Sequence, residues 1–334
     1  MAFREDLRKQ LLGAEKLNAS VLETIYNQKW LRIWIPKQYN GLGCSFGEGL
    51  KVLQQVAEID GSLGWLVTLC SGANFFSRNI VTDQALEIFT NEKVCFGGGG
   101  MLGGTAEKEG DKYLINGLWN YATGAPYLSH FTLNAQITEK GTPLFKANGE
   151  PEFLSFVLDK EQVELIPSWK SMGMVATASH SFKVTNQYVP ESRAFVYNKF
   201  YVDDSISRIP FETFADLTLL VNYLGMAQHY LEESHRIKEV SLQQELKAYL
   251  LGTTQKVNDY AENTEQMLLS NNQLDAGFIA AIHNFGEAVV EELIILIIKL
   301  HQLLGVRASV TESEINQIFR DFFTATQHFN FRKS

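Results

Sequence analysis

Apolar positions between residues 3 and 90 recur every three or four residues, as in Leu50, Leu53, Val56, Ala57 and Ile59. That spacing predicts helices packed along one side. Pro36 to Gly43 interrupts them as a Pro/Gly-punctuated loop. From about 91 to 200 the pattern shortens to runs such as Tyr113–Ile115, Phe131–Leu133, Phe153–Leu158 and Ser181–Val184. Asn116-Gly117 and Glu109-Gly110-Asp111 supply tight-turn chemistry, and together these predict a small antiparallel β domain. Helical spacing then returns over roughly 211–238, 241–270, 275–304 and 311–329, with Phe278, Ile282, Phe285, Val289, Leu293 and Leu296 on one face. The expected class is α+β, with an N-terminal helical domain (1–90), a middle β domain (91–205) and a C-terminal helical bundle (206–334).

Composition narrows the function. A net charge of -9 leaves no basic footprint for nucleic acid. Three cysteines without a C-x-x-C pair make no disulfide framework, so a reduced, cytoplasmic setting is expected. The longest greasy run, Leu293–Ile298, is far below the roughly 20 residues of a membrane span.

Three motif matches fail in context. Gly98-x-Gly100-x-x-Gly103 is followed by strand-like sequence, whereas a dinucleotide fingerprint must open a helix. Ser45 sits in G-x-S-x-G but follows a loop, and Glu48 three residues on marks it as a helix cap. Glu232-x-x-His235 lacks the second such pair that a di-iron bundle needs, so it reads as a solvated helix face and no metal is expected.

Two segments combine glycines with hydroxyls and aromatics. They are Cys95–Gly100 with Asn116–Gly124, and Trp169–Ser179. Adjacent glycines let backbone approach a flat ligand, which a neighbouring aromatic can stack upon.

With Trp34-Ile35-Pro36…Tyr39-Asn40-Gly41-Leu42-Gly43, Glu58–Trp65 and Asn186–Glu191 in the same order, the chain resembles the acyl-CoA dehydrogenase superfamily of flavoproteins. It is most similar to the branch of two-component monooxygenases that use reduced flavin. Gly117-Leu118-Trp119-Asn120-Tyr121-Ala122-Thr123-Gly124 resembles that branch's G-x-W-x-F-x-S-G, His130 follows at its usual place, and Phe319–His328 resembles its R-D-x-x-T-A-x-x-H helix. Val175 stands where the branch usually has Arg.

The resemblance implies FAD or FMN held by Phe96, Gly97, Gly98, Tyr121, Thr123, Gly124, Trp169, Thr177 and Ser179. Arg307 and Arg320 are implied diphosphate contacts, His328 the base, and Thr123 the hydroxyl beside the flavin ring. It also implies a small aromatic or cyclic substrate, a separate flavin reductase and a homo-oligomer, tetramer or dimer. The apolar Ala288–Leu300 segment suits such an interface or an ordinary core. Two alternatives stand beside this reading. One is an acyl-CoA dehydrogenase, which needs a positioned carboxylate that the C-terminal segment does not supply after Glu314. The other is a flavin-fold protein without catalysis.

Overall fold

The computed structural model describes residues 2–197, 199–270 and 273–332. Five helices come first: α1 (Ala2–Leu11), α2 (Ala19–Asn27), α3 (Phe46–Ala57), α4 (Gly61–Asn74) and α5 (Thr82–Phe89). The Ser45 hydroxyl accepts the Glu48 N–H at 3.3 Å while the Glu48 carboxylate accepts the Ser45 N–H at 2.9 Å, the reciprocal cap that the spacing predicts. Helix α3 buries Leu50, Leu53, Val56 and Ala57. Helix α4 is buried almost all round, so it is the inner post of the molecule. Asp60 caps it by accepting the Leu63 N–H at 2.8 Å.

The middle stretch forms β1 (Phe96–Glu109), β2 (Lys112–Ala122), β3 (His130–Glu139), β4 (Thr142–Pro143), β5 (Phe153–Asp159), β6 (Glu164–Ile166), β7 (His180–Pro190) and β8 (Ala194–Phe195). They make one sheet in the order β6-β7-β2-β1-β3-β5-β8, with β4 on β3. The expectation of an antiparallel domain needs correction, because β1 and β3 pair in parallel. After the β1–β2 hairpin turns at Gly110 (φ 66°), the chain crosses and returns on the free side of β1, which obliges β3 to run in the same direction.

The glycine run is strand, as its context requires. Trp119 explains it physically. A Cβ on Gly99 or Gly103 would lie 3.0 or 2.6 Å from the Trp119 side chain, and the indole N–H donates to the Asn134 carbonyl at 2.9 Å. Register shifts between Gly99 and Leu102, and again before Thr105, bend β1 beneath that ring.

The last stretch forms α6 (Phe211–Ile237), α7 (Leu242–Leu269), α8 (Ala276–Leu304) and α9 (Glu314–Ala325). Helix α6 packs on α3 and α4 as well as on α7, α8 and α9, so one buried cluster runs through all three stretches. In the Ala288–Leu300 segment, Val289, Val290, Leu293, Leu296, Ile297 and Leu300 are buried inside the chain itself. Helix α9 is shorter than its apolar period predicts. Its C-terminal carbonyl at Ala325 accepts the buried Tyr223 hydroxyl at 2.8 Å and the His328 N–H at 3.0 Å, and the chain turns into a 3-10 segment, Phe329–Phe331. His328 is therefore the cap of that turn and not a helix residue. Among the described residues, no helix is long and apolar enough to cross a membrane.

Candidate active site

The two glycine-and-hydroxyl segments, 121–124 and 169–179, meet. The Gly124 N–H donates to the Thr177 carbonyl at 2.8 Å, and the Tyr121 and Trp169 rings stand edge to face with centroids 6.1 Å apart. Between them runs a row of hydroxyls. Thr123 Oγ1 lies 3.1 Å from Ser179 Oγ, which lies 2.9 Å from Thr177 Oγ1, which donates to the Met174 carbonyl at 2.7 Å.

Backbone strain collects here. Tyr121 (φ 62°), Met174 (φ 57°) and Ala178 (φ 45°) all adopt the left-handed region without being glycine. Each such residue costs on the order of 1–3 kcal/mol and persists only where its surroundings over-determine it. For Met174 the surroundings are explicit. Its N–H donates to the Asp321 carboxylate, and its carbonyl also takes the Trp169 indole N–H at 2.9 Å. A Cβ on Gly173 would lie 2.1 Å from the Arg320 carbonyl oxygen, so the loop rests directly on the backbone of α9. Arg320 closes the clasp from outside, donating to the Met172 carbonyl at 2.7 Å and to the Asn316 side chain at 2.9 Å.

Arg320-Asp321 thus holds the 172–174 loop. Asp321 is buried, and burial first, then the nearby Asp60 charge, pushes its pKa up. Burial likewise raises Asp60, which also accepts the Gln317 amide at 3.2 Å.

The other expected flavin residues are placed differently. Phe96 is fully buried between Phe89 and His130, and its N–H is taken by the Asn74 side chain. Gly97 backs the Thr123 carbonyl, where a Cβ would stand 3.1 Å away, and Gly98 faces the β3 backbone, where a Cβ would stand 1.7 Å from the Thr132 oxygen. His130 is an internal group, with Nε2 3.2 Å from Asp159 and its pKa lowered by burial. Arg307 lies exposed on a short 3-10 turn, Val306–Ser309.

His328 approaches from the helical side. Its ring meets Trp65 of α4 edge to face at 5.4 Å, and Leu66 and Cys70 of the same helix lie against Gly124. One helix thereby separates the imidazole from the hydroxyl row. Burial lowers the His328 pKa to about 4, so the ring is neutral near pH 7. Its Nδ1 accepts the Asn330 N–H at 3.4 Å. A neutral ring that accepts at Nδ1 carries its proton on Nε2, so the open side of the imidazole is a donor.

Sequence reasoning missed how that turn is fastened. Asn330 donates to buried Asp216 at 2.7 Å, and His283 Nδ1 lies 3.2 Å from both Asp216 oxygens. Nothing local to Asp216 announces these bonds, because its partners lie 67 and 114 residues away. A second polar cluster was also hidden. His229, Glu233 and Glu314 bring ligand-type atoms within 4.8 Å of one another. Protein partners already serve them: His229 Nε2 lies 2.9 Å from Glu314, and Arg236 and Arg8 sit 2.6 and 3.8 Å from Glu233. Glu232 and His235 do not share a ligand, since His235 pairs with Glu239 at 3.0 Å.

No protein-family model matches the chain. It is 28% identical to an indole-3-acetate monooxygenase of Pseudomonas putida over 206 residues, which is 60% of this chain and 50% of that protein. The chain thus spans about half the length of the curated relatives it matches. Among solved structures, the HsaA monooxygenase from M. tuberculosis superposes with a TM-score of 0.89 at 16% identity, covering 99% of this chain and 91% of that one. XiaF from Streptomyces sp., in complex with FADH2 and glycerol, gives 0.88 at 17% identity over 99% and 89%. The chain shares the fold of these proteins.

Proposed function

We propose that the chain is the oxygenase component of a two-component flavin-dependent monooxygenase. It would take reduced FAD or FMN from a separate reductase and hydroxylate a small aromatic or cyclic substrate. The observation that carries this reading is the strained face where Tyr121, Thr123, Trp169, Thr177 and Ser179 converge from two distant segments. It lies on a fold shared with a protein solved with FADH2.

The residues fit a flavin. Tyr121 is 71% exposed beside half-buried Trp169, and Leu118 and Met172 of the same two segments are also exposed, so an apolar ring has a surface to cover. The hydroxyl row offers hydrogen bonding to ring heteroatoms, and Gly124 keeps side-chain bulk away. When bound, reduced flavin would supply the two electrons of the reaction. With them, one oxygen atom of O2 would enter the substrate and the other would leave as water. Of this chain's own groups, Tyr121 and Trp169 orient the ring, and His328 offers a neutral Nε2–H donor from the helical side. In this reading the imidazole acts as a donor, because its Nδ1 accepts the Asn330 N–H.

A dehydrogenase would need a free carboxylate facing substrate. Asp216, which fastens the His328 turn, and Asp321, which holds the 172–174 loop, are both buried and hydrogen-bonded, which favours the oxygenase reading. The test supplies chemically reduced FAD, then 18O2, with indole-3-acetate as the first probe because of the Pseudomonas putida relative. A product carrying one 18O atom is expected. Flavin bleaching by an acyl-CoA, with no labelled product from a panel of aromatic acids and phenols, would overturn the proposal in favour of the dehydrogenase.

A further inference from the structure

Pro167 ends one edge of the sheet. Strand β6 pairs antiparallel with β7, and its last residue, Ile166, lies opposite Ser181. Pro167 follows and has no N–H to donate, so the backbone ladder stops there. Two side chains supply substitute rungs. Ser168 Oγ accepts the Ser181 N–H at 3.0 Å, and His180 Nδ1 accepts the Trp169 N–H at 3.1 Å. The Ser181 hydroxyl carries the link on to the Asn120 side chain of β2 at 2.9 Å.

The second rung fixes a charge state. An imidazole nitrogen accepts a backbone N–H only while it carries no proton. In this geometry His180 is therefore neutral, with its proton on Nε2. A proton on Nδ1 would set donor against donor and strip the Trp169 N–H of its partner. The Trp169 ring is tied separately, since its indole N–H donates to the Met174 carbonyl at 2.9 Å and its face meets Tyr121 at 6.1 Å. Only the backbone tie can be switched off by a proton. The imidazole itself is well placed, because the His180 backbone N–H donates to the Ala178 carbonyl at 2.7 Å and His180 pairs with Ala122 of β2. The elements beside it carry the titratable Tyr121 on β2, Glu164 on β6, Lys183 on β7 and Lys170 in the loop.

We propose that His180 is a positioning residue for the flavin-binding face: its neutral Nδ1 holds the Trp169 backbone in place, and its protonation frees that backbone and weakens flavin binding. The role rests on the flavin reading above and adds to it an affinity that depends on pH. Flavin binding and protonation of His180 oppose each other, and the opposition is reciprocal. Loss of one such hydrogen bond corresponds to about three- to tenfold in affinity.

The first measurement uses the protein without flavin. Long-range 15N–1H correlation on histidine-labelled protein at about pH 8 is expected to show His180 with its proton on Nε2 and Nδ1 accepting. The signal missing from His180→Asn identifies it. Dissociation constants for chemically reduced FAD are then measured anaerobically at about pH 8 and about pH 5.5, a span across which imidazoles change charge. The unmodified protein is expected to bind about three- to tenfold more weakly at the acid end. His180→Asn puts an amide oxygen where Nδ1 stands and takes up no proton, so it should keep the alkaline affinity and lose the pH dependence. His180→Leu offers no acceptor and should bind weakly at both values. His130 and His328, whose pKa values burial lowers, are common to all three proteins, so their titration cancels. A proton on Nδ1, or a His180→Asn protein as pH-dependent as the unmodified one, overturns the positioning role. So does a His180→Leu protein that binds as tightly as the unmodified one at the alkaline end. No binding of reduced FAD to the unmodified protein, with the expected tautomer present, overturns the flavin reading and this role with it.

Discussion

The imidazole of His328 meets the indole of Trp65 with ring centroids 5.4 Å apart and planes inclined at 72°. An aromatic wall of this kind shields one ring face from water and disfavours the cation, in keeping with a pKa lowered to about 4 from the ordinary 6.5. The folded chain therefore binds fewer protons at this site than the unfolded chain between those values. Its contribution to stability is complete above 6.5 and declines as pH falls toward 4. Titrating the imidazole C–H resonances by NMR checks this, with a midpoint near 4 expected. Trp65→Ala should move that midpoint back toward 6.5; a midpoint already near 6.5 in the unmodified protein would contradict the shielding.

Substituting Gly173 tests the clasp between loop and helix. A methyl group there collides with the Arg320 carbonyl at 2.1 Å, and backbone on both sides leaves little room to yield. Overpacking of this type costs about 1–3 kcal/mol. Gly173→Ala is expected to lower the thermal midpoint and weaken flavin binding together. Gly141→Ala is the control for stability, since space is open there although its own φ of 76° carries some strain. A Gly173→Ala protein that melts and binds like the unmodified one would refute the contact.

How much of this could be read from residues alone follows from the range of each interaction. Ser45 and Glu48 are three apart, so their cap is local and legible. The long C-terminal helices were visible because burial of Ile282, Val289, Leu293 and Leu296 repeats along one element. The meeting of 121–124 with 169–179 was legible only as similar composition, since nothing local dictates the Gly124–Thr177 bond. The parallel β1–β3 pair escaped because strand runs carry no direction. Arg320-Asp321 was visible as a pattern, but its work on Met172 and Met174 depends on chain nearly 150 residues away. The end of α9 escaped because Tyr223, on another helix, competes for its last carbonyl.

Asp321 should give the protein an unusual response to pH. Its folded pKa is raised above the ordinary 3.8 by burial and by Asp60, so the folded chain holds a proton that the unfolded chain releases. Stability from this group is greatest at the acid end and declines as pH rises above 3.8 toward the raised value. Asp321→Asn keeps an oxygen for the Met174 N–H but carries no charge. Urea unfolding from pH 5 to 9 is expected to show a flatter slope for Asp321→Asn than for the unmodified protein. Parallel slopes would mean that the carboxylate is not held neutral.

Asp216 gives the last prediction, because it fastens the turn that His328 caps. Its carboxylate receives the Asn330 amide at 2.7 Å and faces His283 at 3.2 Å. Asp216→Ala removes the acceptor from half-buried Asn330 and leaves half-exposed His283 with Glu287 at 3.8 Å, a loss of about 1 kcal/mol. The Phe329–Phe331 turn should loosen first, since Asn330 loses its side-chain anchor while Phe331 keeps its contacts with Tyr223, His283 and Gly286. Faster amide hydrogen exchange at 328–332 is expected, along with a His328 titration midpoint raised from about 4 as water reaches the ring. Asp216→Asn retains an acceptor for Asn330 and should show a smaller change in both. Exchange in Asp216→Ala that rises equally across all helices would indicate global destabilisation, and the positioning role would fall.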